Sequence, residues 1–283
     1  MSDEFEPYRS TVSGEIGEIS YIDVGDGPIT LFVHGVFTNG QLWRNCVRRL
    51  SSHRRCIAVD LPGHGHTPAI GDASVWGLAE AVATVIKALD LSEIHLVGND
   101  TGGAVCQVVL ARDPDRFASL ALTNCDTEGN FPPPLFKPVV SLARLGMLRI
   151  LRPLLKVPRV ARQIYRTGYQ DRGAVPLDVV VGYLGPVIGS RSGTRFMERL
   201  LSSMSPDVLA RIRPWIRPEL SNCHIPTAIV WGTGDLFFTL KWAHWLQRLI
   251  PGAGEVVQIP GGRLFFVDER AEELVAELEK HWK

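Results

Sequence analysis

The sequence predicts an α/β fold, a mainly parallel sheet with helices on both faces and a helical segment inserted late in the chain. Three observations predict it. Short apolar runs alternate with longer helix-period stretches through the first 125 residues, which is the pattern of parallel strands joined by crossover helices. Two of these runs, Ile29-Thr30-Leu31-Phe32-Val33 and Ile94-His95-Leu96-Val97-Gly98, are nearly continuous, as strands buried on both faces are. After Asn124 the texture changes to a Leu/Arg-rich stretch, and the strand pattern then returns.

Taken in order, the first strand lies around Ile19 and is polar enough to form the edge of the sheet. Ile29 to Val33 follows, then a helix near 41 to 51, a strand at Cys56 to Val59 and a helix near 74 to 90. Ile94 to Val97, a helix over 101 to 112 and a strand at Leu120 to Leu122 complete the first half. Phe131-Pro132-Pro133-Pro134 stops regular structure. Beyond it an amphipathic stretch runs to about Pro218, and its arginines (Arg144, Arg149, Arg152, Arg159, Arg162, Arg166) read as solvated helix faces. Strands return at Ile225 to Trp231 and Val256 to Ile259, and a helix from Glu269 to Trp282 closes the chain. The expected division is a core of residues 1–130 and 219–283 with a helical cap over 131–218.

The totals exclude several classes. A chain of 283 residues, 45% hydrophobic and 21% charged, can bury a core without staples. Lys plus Arg and Asp plus Glu are 30 each, so no basic field gathers nucleic acid or an anionic membrane surface. The five cysteines (Cys46, Cys56, Cys106, Cys125, Cys223) are odd in number and lack CxxC spacing; they read as free, buried thiols. The first ten residues are acidic and polar, and no apolar run reaches membrane-spanning length, so the expectation is a soluble cytoplasmic protein. No metal is expected because the histidines lack paired spacing, and no cofactor because GxGxxG and P-loop sequences are missing. The expected partner is a small hydrophobic substrate, with room left for a homodimer.

The chemistry concentrates where the Ile94 to Val97 strand runs into Gly98-Asn99-Asp100-Thr101-Gly102-Gly103 and then an apolar helix. A strand, a sharp turn with small neighbours and a helix form the context of a nucleophile elbow. The helix start directs N–H groups and a positive dipole end at the turn, which suits a carboxylate. Asp100 as a plain helix cap would explain neither the flanking glycines nor the His34-Gly35-Val36-Phe37 turn after the neighbouring strand.

On these two turns, with Asp60-Leu61-Pro62-Gly63-His64-Gly65 and Trp231-Gly232-Thr233-Gly234-Asp235, the sequence resembles the α/β-hydrolase superfamily. Within it the likeness is to haloalkane dehalogenases and epoxide hydrolases, whose elbow carries aspartate. The resemblance implies an α/β-hydrolase fold with a helical cap and Asp100 as the reactive carboxylate. It also implies an oxyanion hole from the main-chain N–H groups of Phe37 and Thr101. Asp235, or alternatively Asp126, takes the place of the acid that orients a histidine. His34 and His64 match structural loop positions.

The histidine itself is missing. Its place falls within Ile259 to Phe266, where Leu264 stands, and no histidine occurs between His244 and His281. Dehalogenation is disfavoured, because Thr101 and Val36 occupy the positions of the halide-holding Trp and Asn. Tyr165, Tyr169 and Tyr183 are cap tyrosines of the kind epoxide hydrolases use as acids, with Tyr183 divided between pocket and core. Val36, Trp43, Tyr183, Phe237, Phe238, Leu264 and Phe265 are expected to line an apolar pocket. The leading expectation is a hydrolase-like enzyme acting through Asp100 with an incomplete triad. The alternatives are a non-hydrolytic lyase, isomerase or cyclase using Asp100 as acid or base, and an inactive binding protein of the same fold.

Overall fold

The computed structural model describes residues 4–283 apart from residues 172 and 174. The strands are β1 (Arg9–Gly14), β2 (Gly17–Val24), β3 (Ile29–Val33), β4 (Arg55–Val59), β5 (Ile94–Asp100), β6 (Phe117–Cys125), β7 (Thr227–Gly232) and β8 (Ala253–Ile259). They form one sheet in the order β1-β2-β4-β3-β5-β6-β7-β8. The β1–β2 and β2–β4 pairs are antiparallel and every later pair is parallel. This is the expected α/β architecture.

The helices of the first half are α1 (Arg44–Leu50), α2 (Val75–Ala88) and α3 (Thr101–Arg112). Between β6 and β7 come α4 (Lys137–Arg144), α5 (Met147–Leu155), α6 (Pro158–Tyr165), α7 (Leu177–Gly189), α8 (Arg191–Ser203) and α9 (Pro206–Ser221). The chain closes with α10 (Leu240–Leu249), α11 (Phe266–Glu269) and α12 (Ala271–His281). Ser74, Ser190 and Ser205 fix three of the starts by accepting from the N–H of Gly77, Gly193 and Val208.

Two expectations need correction. The strand around Ile19 is not the edge, because Ile19, Ser20, Tyr21 and Ile22 are all buried between two neighbours. The edge is β1, Arg9-Ser10-Thr11-Val12-Ser13-Gly14, whose single aliphatic side chain gave no apolar run. The boundary at 218/219 falls inside α9, which packs on α3 and carries Pro214 and Pro218 within it. Those prolines are tolerated because α9 is exposed along most of its length, where water satisfies the freed carbonyls.

One apolar core runs through the sheet and joins the helices on both sides. All five cysteines are buried free thiols. Two polar knots tie loops to it. Asp60 accepts from Arg9 at 2.6 Å, from the Gly40 N–H and from the His66 N–H. Asp268 accepts from Arg44 at 2.5 Å, Asn45 at 2.8 Å and Tyr169 at 2.9 Å.

Candidate active site

β5 ends on Asp100 and α3 starts on the next residue, so the chain reverses in one peptide unit. Asp100 sits at φ 56° and ψ −134°, a region that costs a non-glycine residue about 1–3 kcal/mol. Strain of this kind persists where close packing overdetermines it. A Cβ on Gly35 would fall on the Asp100 carboxyl, and one on Gly103 would fall on Cys125. Small residues at those two places let the turn, α3 and β6 pack together.

The main-chain N–H groups of Val36 and Thr101 lie near the Asp100 carboxyl and favour its charged form. Val36 thus takes the place expected for Phe37. The Phe37 N–H donates instead to His64 Nε2 at 3.2 Å, because Phe37 itself turns to φ 60° and directs its amide away. Thr101 lies as expected.

His34 and His64 are occupied loop groups. His34 accepts from the Leu61 N–H and donates to the Gly35 carbonyl; His64 accepts from Phe37 and donates to the Pro62 carbonyl. Burial drops their pKa values to about 4 and about 3, so both are neutral.

Two more carboxyls stand near Asp100. Asp126 accepts from the Thr101 hydroxyl at 2.9 Å, and its N–H donates to the Asp100 carbonyl at 3.3 Å. Asp235 accepts from the Phe237 and Phe238 N–H groups and from Asn124. Burial first, and then the charges of Asp126 and Asp235, push Asp100 well above the ordinary carboxylate range. Burial lifts Asp126 to about 7 and Asp235 to about 6.

Asp100 and Asp126, but not Asp235, meet a cavity of about 270 Å³ at the carboxyl ends of the parallel strands. Asp100, Val36, Phe37, Phe237, Phe238, Leu264 and Phe265 are all in its wall, and so is Asp126. The inserted helices supply the opposite wall through Leu142, Leu148, Leu151, Leu155, Tyr165 and Leu184. No histidine is among the lining residues described. Leu264 occupies this wall, its carbonyl held by Asn99 Nδ2 at 3.1 Å.

Trp43 and Tyr183 lie elsewhere. Trp43 is fully buried under β3, its ring 5.0 Å from that of Phe32. Tyr183 is fixed by Arg44 Nη1 at 3.2 Å, within the Asp268 knot. Of the three tyrosines only Tyr165 reaches the cavity, and its hydroxyl donates to the Phe37 carbonyl. The leucines of α5 were not singled out from the sequence. Their spacing, Leu148, Leu151 and Leu155, is a helix-face signal that could have found them. Among the described residues no three His, Cys, Asp or Glu groups gather as a metal needs, and no helix is long and apolar enough to cross a membrane.

Residues 28–270 match the family model described as the alpha/beta hydrolase fold. The chain belongs to that family. Its relatives include an uncharacterized protein of Mycobacterium tuberculosis, 26% identical over 258 residues, 87% of this chain and 73% of the relative. A haloalkane dehalogenase of Mesorhizobium japonicum is 35% identical over 118 residues, 41% of this chain and 38% of the relative. Among solved structures, a haloalkane dehalogenase loop variant from Bradyrhizobium elkanii superposes with a TM-score of 0.82 at 17% identity, covering 97% of this chain and 96% of that one. That last likeness speaks to the fold alone.

Proposed function

We propose that this α/β-hydrolase is an enzyme that takes a small, apolar, oxygen-bearing molecule into the cavity and transfers protons with Asp100. Asp126 serves as its proton-sharing partner. The observation that carries the reading is the pair of buried carboxyls, Asp100 and Asp126, in the wall of one apolar cavity, with Asp235 close enough to add its charge and no basic nitrogen among the described lining residues. Deprived of an imidazolium, such carboxyls cannot all ionise, and one of them stays a neutral acid near pH 7.

A neutral Asp100 is placed to protonate an epoxide or carbonyl oxygen. Asp126, with a pKa of about 7, is matched to collect a proton in return. The net result is an isomerisation or elimination that consumes no water. The N–H groups of Val36 and Thr101 favour whichever carboxyl or oxygen is negative. Asp235 holds the Phe237–Phe238 turn in the wall.

A second reading has its own support. The strained elbow and the two N–H donors suit an ionised Asp100 that attacks carbon, as the resemblance implies. Without a base to deprotonate water, the ester so formed would persist.

Intact-protein mass spectrometry after incubation with small epoxides and haloalkanes separates the two. Product formed over many turnovers on unmodified protein, and lost in Asp100→Asn, supports acid–base catalysis. A stable adduct of one substrate mass, absent from Asp100→Asn, replaces that reading with the nucleophilic one. A Leu264→His variant that then sheds the adduct would identify position 264 as the seat of the missing base.

A further inference from the structure

Behind the elbow lies a second cavity of about 50 Å³, lined by α3, α9, α10 and the segment that follows β6. Asp126 is in the wall of both cavities. Thr127, next in the chain, borders only the rear one. Among the described residues, Asp126 Oδ1 and Thr127 Oγ1 are buried without a hydrogen-bond partner. Each such orphan costs about 1–3 kcal/mol, a cost that a water reaching it from the rear cavity by a small side-chain shift would remove. A water needs about 10–15 Å³ of cavity measured this way, so the space has room for about three to five.

At the outer end the Glu128 carboxylate accepts from Arg213 Nε at 2.8 Å and Arg217 Nη1 at 2.7 Å. Both arginines are about half exposed, which brings the rear cavity to the surface at that clamp. The titratable and charged groups around Asp126 are therefore Asp100 and Cys125 on the sheet, with Glu128, Arg213 and Arg217 toward solvent.

We propose that the rear cavity is a built water site through which Asp126 exchanges its proton with solvent, past Thr127 and the Glu128–Arg213–Arg217 clamp, without passing through the substrate cavity. It rests on the acid–base reading above. Asp126, protonated by the substrate, exchanges that proton one-for-one with a cavity water, which exchanges in turn with solvent, before handing a proton back to Asp100; no net proton is consumed and water is the only co-reactant. Exchange by this route does not require the apolar front cavity to empty.

Infrared difference spectroscopy on the full chain tests this. The C=O stretch of protonated Asp126 is identified by its loss in Asp126→Asn, and its shift is timed after transfer to heavy water. Ile216→Trp fills the rear cavity from α9, so exchange must wait for local opening and should slow about tenfold or more. Leu151→Trp fills the front cavity and should leave the rate unchanged. Parent-like exchange in Ile216→Trp, or slowing in Leu151→Trp, overturns the relay and leaves the acid–base reading standing. If Ile216→Trp does not fold, Ala104→Leu narrows the same space with the same expectation. A parent with no such band in mildly acidic solution removes the acid–base reading and the relay with it. A high-resolution crystal structure with a dry Thr127 hydroxyl removes the relay alone.

Discussion

Gly35 and Asp100 share a space that admits one carboxyl and no added methyl. Gly35→Ala should therefore lower the melting temperature markedly, and the loss should shrink when Asp100→Gly is made beside it. Additive losses in that double-mutant cycle would show that the two residues do not collide. Asp126 supports a prediction about pH. The folded chain keeps its proton up to about 7, whereas the unfolded carboxyl releases it near 3.8. Between those values the folded state binds more protons, so stability falls as pH rises through the window. Asp126→Asn should flatten that decline and leave the variant more stable than the parent above pH 7, as urea unfolding at several pH values would reveal. The elbow was legible because its glycines and its strand-to-helix context stand in the sequence. Phe37 was mistaken for Val36 because the direction of an amide depends on the left-handed turn at Phe37, which the sequence pattern does not display.

At the level of elements, the inserted helices are held to the core by the Asp268 knot. Arg44 from α1, Tyr169 before α7 and Tyr183 on α7 converge on α11. Arg44 is about one-eighth exposed and Asp268 nearly fully buried, so removing the cation strands a charge. Arg44→Ala should cost about 3–5 kcal/mol in chemical denaturation. Tyr169→Phe should cost less, about 1–2 kcal/mol, since two donors remain on the carboxylate. An Arg44→Ala loss below that of Tyr169→Phe would mean the knot is solvated. Trp43 was expected in the pocket from its nearness in sequence to the Gly35 turn, and Tyr183, within the apolar run of α7, was divided between pocket and core. Which face a ring takes depends on its tertiary neighbours, here Phe32 and Arg44.

For the whole molecule, the mainly parallel sheet and the inserted helices follow from the alternation of apolar runs and from the break after Asn124, whereas the strand order does not. The edge strand did not show, because β1 pairs through its main chain and buries little. The cavity sits where the insertion meets the carboxyl ends of the strands, and nearly everything in its wall is apolar. Neutral apolar compounds should therefore raise the melting temperature, and phosphates or nucleotides should not. Leu151→Arg, by placing a cation in that wall, should abolish the effect of the apolar compounds. An equal response to nucleotides would mean that ligands bind outside this space.

The amides of Val36 and Thr101 already face the chain's own Asp100. At rest, then, the enzyme carries its own competitive inhibitor, and an incoming oxygen reaches those two donors only by evicting a tethered rival. Formate or halide in the buffer should accordingly bind feebly until that rival is cut away, and Asp100→Ala should turn the same spot into a ready receptor for small anions.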